Sequence, residues 1–267
     1  MDQSIQMESL TTIVVPCFNE SERLEKESFF KFSKAYEHVH FLFVDDGSTD
    51  RTKKNLIEII EPFPDRFSLL MLPQNVGKAE AIRKGIKKAL DSDSYYIGFW
   101  DADLATPLEE IPRFLNVLNA KPNLFLVTGA RVKLLGRHVE RSNWRHYFGR
   151  LSATLISIVL GIPYYDTQCG AKIFRTMPHL KAIFDEPFSS RWLFDVEIIA
   201  RLLSFSEKNS RLHPEHCIYE LPLLDWRERE GSNVKIKDYF QSLSDLLTIR
   251  NFLRGQKPHK QQTDNDT

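Results

Sequence analysis

Residues 95–103 read Tyr-Tyr-Ile-Gly-Phe-Trp-Asp-Ala-Asp. A short uncharged run rich in aromatic residues, closed abruptly by two acids, predicts a strand over Tyr95–Trp100 that is buried on both faces, with the acids at its carboxyl end. Two carboxylates one residue apart in such a place repel each other unless a cation lies between them. Hard oxygen ligands suit Mg²⁺ or Mn²⁺, and Mg²⁺ ordinarily completes its shell with water and substrate phosphates. Asp101 and Asp103 are therefore read as metal ligands. An Asp-x-Asp pair alone recurs by chance, so the weight comes from its position at a strand end.

Upstream, strands are expected at Thr11–Val15, His40–Val44 and Phe67–Leu72, alternating with helices at Ser21–Tyr36, Arg51–Ile60 and Ala79–Leu90. Ser21 or Asn19 is available to cap the first helix. Downstream, a helix at Pro107–Leu118 and a strand at Leu124–Gly129 continue the alternation to about residue 130. This pattern argues for an α/β fold with a mostly parallel sheet and helices on both faces. The second half loses the alternation. It holds an arginine-rich connector (131–150), an apolar helix (149–160), a loop (163–170), a helix near 193–203 and a strand near 217–221. One domain over residues 1–255 and a polar, disordered tail over 256–267 are expected.

Lys plus Arg number 36 and Asp plus Glu 36, so no global field draws the chain to nucleic acid, and any anion must be held by local clusters. Cys17, Cys169 and Cys217 are odd in number and scattered, which reads as reduced thiols. The start, MDQSIQMESL, lacks a signal-peptide stretch. The longest apolar run, Leu151–Ile162, falls short of the roughly 20 residues a membrane span needs. A cytoplasmic location is expected, with peripheral attachment to a membrane's cytoplasmic face as the alternative.

Open α/β sheets bind ligands outside the carboxyl ends of their strands. Three polar signals fall there: Asn19-Glu20, Asp45-Asp46 and Asp101-Ala102-Asp103. The first two also read as a loop with a helix cap and as an ordinary turn. After the strand at 124–129 come Arg131, Arg137, Arg141, Arg145 and Arg150, interleaved with His138, Trp144, His146 and Tyr147, and then the apolar helix. One reading is a solvated basic loop beside a core helix; the other is an anion site beside an apolar groove, since the arginine fork suits phosphate.

The succession VVPCFNE, FVDDGSTDRT, NVGKAEAIRKG and DADLATPLEEI resembles family 2 glycosyltransferases of the GT-A (Rossmann-like nucleotide-diphospho-sugar transferase) fold over residues 11–250. DTQCGAKIF, RWLFDVEI and WREREGSNVKI narrow the resemblance to polyprenyl-phosphate sugar synthases, especially dolichyl-phosphate β-glucosyltransferases. The resemblance implies that residues 11–130 bind the nucleotide sugar and 131–255 the acceptor. Pro16, Asn19 and Glu20 would line the nucleoside pocket, and Asp45 or Asp46 would accept a hydrogen bond from uracil. Gly77 and Lys78 would lie near base and diphosphate. Arg131, then Arg141 and Arg145, would grip an acceptor phosphate, with Gln168 and Gly170 shaping the acceptor loop and Asp166, in YDTQCG, a second candidate for a sugar or base role on the acceptor side. Arg227, Arg229, Ser232 and Lys235 form a basic segment that reads either as a lid over the diphosphate or as an exposed loop. Mannosyl relatives often carry DADLQ; Ala105 stands here instead and leans away from the mannosyl branch.

The implied reaction is inverting transfer of a sugar, glucose from UDP-glucose, to a lipid phosphate. Such an acceptor is largely dianionic at neutral pH and needs no general base. The enzyme then positions two anions and offsets their repulsion with Asp103-bound metal and Arg131. Asp195 and Glu197 lie where hydroxyl-acceptor relatives carry a base; Asp195 also reads as a helix N-cap. If the acceptor is a lipid, the helix at 149–160 and the basic residues before it are expected to contact the membrane. Beyond a nucleotidyltransferase, which would show an early glycine- and lysine-rich triphosphate loop that VVPCFNE is not, two rival readings remain. One is transfer to a sugar hydroxyl of a glycan or protein, for which Asp195 would be indispensable. The other is a nucleotide-sugar-binding protein without activity, against which both intact DxD carboxylates stand.

Overall fold

The computed structural model describes residues 10–140, 143–206, 213–228 and 236–256. Strand β1 (Thr11–Cys17) is followed by helix α1 (Lys26–Ala35), β2 (Val39–Asp45), α2 (Thr52–Ile60), β3 (Phe67–Met71), α3 (Lys78–Ala89) and β4 (Tyr96–Trp100). A 3₁₀ turn at Leu108–Glu110 leads into α4 (Ile111–Ala120) and β5 (Leu126–Ala130). Then come β6 (His138–Glu140), α5 (Asn143–Leu160), β7 (Ala171–Arg175), α6 (Pro178–Asp185) and α7 (Phe194–Ser206). The short α8 (Pro214–Cys217), β8 (Ile218–Pro222), β9 (Asp225–Arg227) and α9 (Ile236–Gln256) complete the order.

Seven strands form one sheet in the order β3-β2-β1-β4-β7-β5-β8, and β6 pairs with β9 in a separate two-stranded ribbon. All neighbours in the large sheet are parallel except β7, which runs antiparallel to both β4 and β5. Strand residues alternate between two cores. Val14, Leu42, Val44, Ile97 and Phe99 face α3, α5, α6, α7 and α9. Ile13, Val15, Phe41, Phe43 and Trp100 face α1, α2 and α4. Burial on both faces is why these strands read as continuous apolar runs.

The expected α/β architecture is present, with four corrections of detail. Strand β7 was not foreseen, although the motif DTQCGAKIF runs into it. Helices α6 and α9 were also not foreseen, and α5 begins at Asn143 rather than Gly149. The first helix starts at Lys26, not Ser21. Residues 21–25 turn instead because the Ser21 amide donates to Asp50 Oδ2 (3.1 Å) and Asn55 Nδ2 donates to the Ser21 carbonyl (3.0 Å). Neither proposed cap serves that helix. The tail expected to be disordered lies outside the described residues apart from Gln256, which ends α9. Among the described residues no helix is long and apolar enough to cross a membrane.

Candidate active site

The chain leaves β1 toward β2 and β3 on one side, and β4 returns on the other, so β1 and β4 flank the switch point where such sheets bind ligands. Asp101 follows β4 directly. A tight turn then holds Asp103: the Leu104 amide donates to the Asp101 carbonyl (3.2 Å), and the Ala105 amide donates to Asp103 Oδ1 (3.0 Å). Leu104 has φ of 51°, a left-handed conformation that costs energy in a residue with a Cβ. Burial, reinforced by the neighbouring Asp101, pushes the Asp103 carboxyl up from its ordinary pKa.

Lys78, the first residue of α3, places its Nζ 2.5 Å from Asp101 Oδ1. Burial pulls the Lys78 ammonium down, but Asp101, with Asp195 and Asp103 beyond it, more than offsets this and raises its pKa. Asp101 Oδ1 is buried and accepts no aligned hydrogen bond. Gly170 lies against the same carboxylate: a Cβ there would sit 1.9 Å from Asp101 Oδ2. No larger residue fits without displacing Asp101. We therefore expect Gly170→Ala to lower turnover roughly tenfold or more while leaving the fold intact, since sub-ångström misplacement of a reacting group is costly. Steady-state kinetics beside a thermal melt checks this; an unchanged kcat would show that the contact is dispensable.

The donor-side residues converge but hold different partners. Asn19, at φ of 52°, accepts from the Thr49 amide (2.9 Å), and its own amide donates to Ser48 Oγ (3.1 Å), joining the loops after β1 and β2. Glu20 is held by both forks of Arg23 (2.8 and 2.9 Å). Pro16 is buried within β1 opposite Val44. Of the two acids after β2, Asp46 engages the Val76 and Gly77 amides with its two oxygens, each at 2.8 Å. Asp45 accepts only the Ser48 amide (3.1 Å) among the described residues. This turns Asp46 into the clasp of the 76–77 loop, while Asp45, buried at the end of β2, is bound more lightly. Gly77 has φ of 92° and ψ of 154°, a conformation reserved for glycine, and it opens α3. The Arg191 guanidinium packs on it, with Nη2 2.9 Å from where a Cβ would be.

On the acceptor side, Arg131 and Asp166 do not stand apart. Arg131 Nε and Nη2 donate to Asp166 Oδ2 and Oδ1 at 2.6 and 2.7 Å, and its amide donates to Oδ2 at 3.0 Å. The guanidinium also stacks on Trp226, 5.3 Å from the ring centroid. The fork expected to face a phosphate is thus engaged by a carboxylate. Asp166 is itself fixed because Glu220 accepts from the Tyr165 and Asp166 amides (2.9 and 2.8 Å). Gln168 Nε2 donates to the Trp192 carbonyl (3.5 Å), linking the acceptor loop to the segment carrying Arg191. Arg141, Arg229, Ser232 and Lys235 lie outside the described residues, as does the side chain of Arg145. Only the start of the expected lid is in view. Arg227 belongs to β9, and its amide donates to the Ala105 carbonyl (3.0 Å), so this end is tied to the DxD turn.

Asp195 lies in the first turn of α7, fully enclosed, and accepts from Lys172 Nζ at 2.6 Å. Burial raises the Asp195 pKa despite Lys172 beside it. Glu197 accepts the Ser189 amide (2.9 Å) and pairs with Arg201 (2.7 Å), which makes it a clasp of the 186–190 loop rather than a base. Three residues with a place here were given no role in the sequence reading: Lys172, Arg191 and Glu220. The only local signal was Lys172, a lone cation between Ala171 and Ile173-Phe174.

A sheet of this order with an acid pair at its switch point places the protein among the GT-A-type nucleotide-diphospho-sugar transferases. The chain belongs to glycosyltransferase family 2, whose model (Glycosyl transferase family 2) matches residues 12–181, and it is a glycosyltransferase. A dolichyl-phosphate beta-glucosyltransferase of Trichomonas vaginalis is 31% identical over 258 residues, covering 91% of this chain and 73% of that protein. The dolichyl-phosphate beta-glucosyltransferase of Dictyostelium discoideum is 34% identical over 255 residues, covering 90% and 73%. The crystal structure of glucosyl-3-phosphoglycerate synthase from Mycobacterium tuberculosis with Mn²⁺ and UDP-glucose matches at a TM-score of 0.64 and 17% identity, over 91% of this chain and 79% of that one. At that identity the likeness is one of fold.

Proposed function

We propose that this enzyme moves glucose from UDP-glucose to a polyprenyl or dolichyl phosphate, with inversion at the anomeric carbon. The observation that carries this reading is the Lys172–Asp195 ion pair. The acid at the place of a general base is buried against a lysine. Of the other acids in the site, Glu20 is held by Arg23, Asp166 by Arg131 and Glu220 by backbone amides. A hydroxyl acceptor needs a free base, whereas a phosphate arrives already ionised. The similarity to dolichyl-phosphate glucosyltransferases over 91% of the chain agrees with this.

In this reading residues 11–130 bind the donor and 131–255 the acceptor, although both halves contribute strands to one sheet. Asp45 meets the uracil, and Lys78 with Arg191 flanks the diphosphate. Asp101 and Asp103 fit a divalent ion, Mg²⁺ or Mn²⁺. One Asp101 oxygen is buried without an aligned donor, and Asp103 has an oxygen beyond its bond to Ala105. Among the described residues no cluster of three ligating side chains exists, so substrate phosphate and water would complete the shell. Bound there, the ion would neutralise the departing UDP. Lys78, now paired with Asp101, is free to turn to the diphosphate once a metal takes that carboxylate. Arg131, held flat by Asp166 and Trp226, presents its remaining edge to the acceptor phosphate.

The test is radiolabelled transfer from UDP-glucose, UDP-N-acetylglucosamine and GDP-mannose to short polyprenyl phosphates with Mg²⁺ or Mn²⁺. Lipid-linked label from UDP-glucose is expected. Transfer to sugar hydroxyls with none to the lipid phosphate overturns the reading. Arg131→Gln is expected to raise the acceptor KM on the order of tenfold to a hundredfold, the scale of a charge-assisted hydrogen bond, and to leave UDP affinity by calorimetry unchanged. Equal losses on both sides would remove Arg131 from the acceptor site.

The membrane contact expected from helix 149–160 is only partly available. Ala153, Ile156 and Leu160 of α5 are buried, and Ile156 and Leu160 join the core; Leu155 and Ile158 face outward. The helix is therefore core first, and a peripheral attachment draws on other residues as well.

A further inference from the structure

Between β5 and β6 the chain makes a turn, Lys133-Leu134-Leu135-Gly136-Arg137, closed by the Arg137 amide donating to the Leu134 carbonyl (3.1 Å). Gly136 takes φ of 78°, and open space surrounds it. Leu134 is 48% exposed and Leu135 completely so. Leu224, also exposed, lies beside the turn, its carbonyl accepting from the His138 amide (2.8 Å). Two adjacent leucines at the apex of a turn are an unfavourable thing to leave in water, and a flexible loop would fold them back. Here both stems are fixed. Arg131 is locked by Asp166 on one side, and Arg137 Nη1 donates to the Pro222 carbonyl (3.0 Å) on the other. The strand pairing of β6 with β9 holds the far stem further.

We propose that this turn is a membrane-docking tip that inserts Leu134 and Leu135 into the acyl boundary of an anionic bilayer. Charge selects the partner. Lys133 and Arg137 flank the two leucines, Arg131 being neutralised by Asp166, and residues 131–139 contain no acid. Basic side chains around an apolar tip are what an anionic lipid surface attracts. Position gives the tip a purpose, which rests on the lipid-phosphate reading above. It begins two residues after Arg131, so docking would bring the acceptor's headgroup to the site while its tail stays in the bilayer.

The experiment compares the wild-type chain with the double variant Leu134→Ser, Leu135→Ser in co-sedimentation with phosphatidylcholine vesicles, with and without phosphatidylserine. Transfer from UDP-glucose is measured to a long polyprenyl phosphate in those vesicles and to a short, water-soluble one. The wild type is expected to bind the anionic vesicles. The variant should lose on the order of tenfold in vesicle affinity and in transfer to the embedded acceptor, with transfer to the soluble acceptor unchanged. A wild type that ignores vesicles, or a variant that binds them equally, overturns the tip. So does a concentration-dependent dimer of the wild type that the variant abolishes. If the wild type binds vesicles through the leucines yet transfers to neither lipid phosphate, the acceptor assignment fails and the docking site stands.

Discussion

Asp101→Asn and Asp103→Asn are each expected to lower sugar transfer by roughly a hundredfold to a thousandfold, the scale of losing one preorganised electrostatic contact to developing charge. The fold should persist. Asp103 holds only the turn that follows it, through the Ala105 amide, and Asp101 sits beyond the last residue of β4. Asn keeps the shape that Gly170 requires beside position 101 while removing the charge. The loss should therefore be chemical, seen as weakened Mn²⁺-dependent UDP binding in calorimetry with a wild-type circular dichroism spectrum. EDTA should reproduce it in the wild type, and added Mg²⁺ or Mn²⁺ should reverse it. Wild-type rates in EDTA, or in either variant, would remove the metal from the mechanism.

The second large effect is on stability. Lys172 is completely buried on β7, and its ammonium donates to the Thr167 carbonyl (3.0 Å), the Cys169 carbonyl (2.7 Å) and Asp195 Oδ1 (2.6 Å). Its three protons are all placed. Lys172→Met would leave a buried carboxylate and two carbonyls without a donor, a change that typically costs about 3–5 kcal/mol. Against a domain stability of roughly 5–15 kcal/mol this is severe. A large drop in melting temperature and denaturant midpoint is expected. Adding Asp195→Leu should recover much of it, because the orphaned charge is then gone. Activity should not recover with stability, since Lys172 also holds the 167–169 backbone that seats Gly170 on Asp101. A Lys172→Met variant that melts with the wild type would show that the pair is not the anchor described here.

Much of the first half, residues 11–130, was legible in the chain. Strands β1 to β5 announce themselves as short apolar runs ending in Pro, Gly or Asp, and the acids that follow them fall at the sheet's carboxyl edge. Strand β7 escaped because AKIFR is short and carries a lysine and an arginine, so it does not look like the centre of a sheet. Only burial against β4 and β5, with Asp195 to neutralise it, makes Lys172 tolerable there. Helix α9 was missed although Phe240, Leu243, Leu246, Ile249 and Leu253 recur at helical spacing, because the charged segment before it drew the reading to a loop. Arg131 and Asp166 were both assigned to the acceptor site, yet nothing in the chain between these positions, 35 apart, states that they grip each other.

The sequence by itself determined the layered α/β architecture, the family and the acid pair at the end of β4. The architecture and the place of the acid pair follow from hydrophobic period and turn chemistry, and the family from the resemblance of short motifs, all of them local and written along the chain. Tertiary structure alone decided the allegiance of each charge: Asp46 to the 76–77 amides, Asp166 to Arg131, Asp195 to Lys172, and Asp101 to Lys78. A buried charge takes whichever partner the packed chain brings within reach, because leaving it unpaired costs several kcal/mol. That choice is made in space between residues far apart in sequence, so no local pattern carries it.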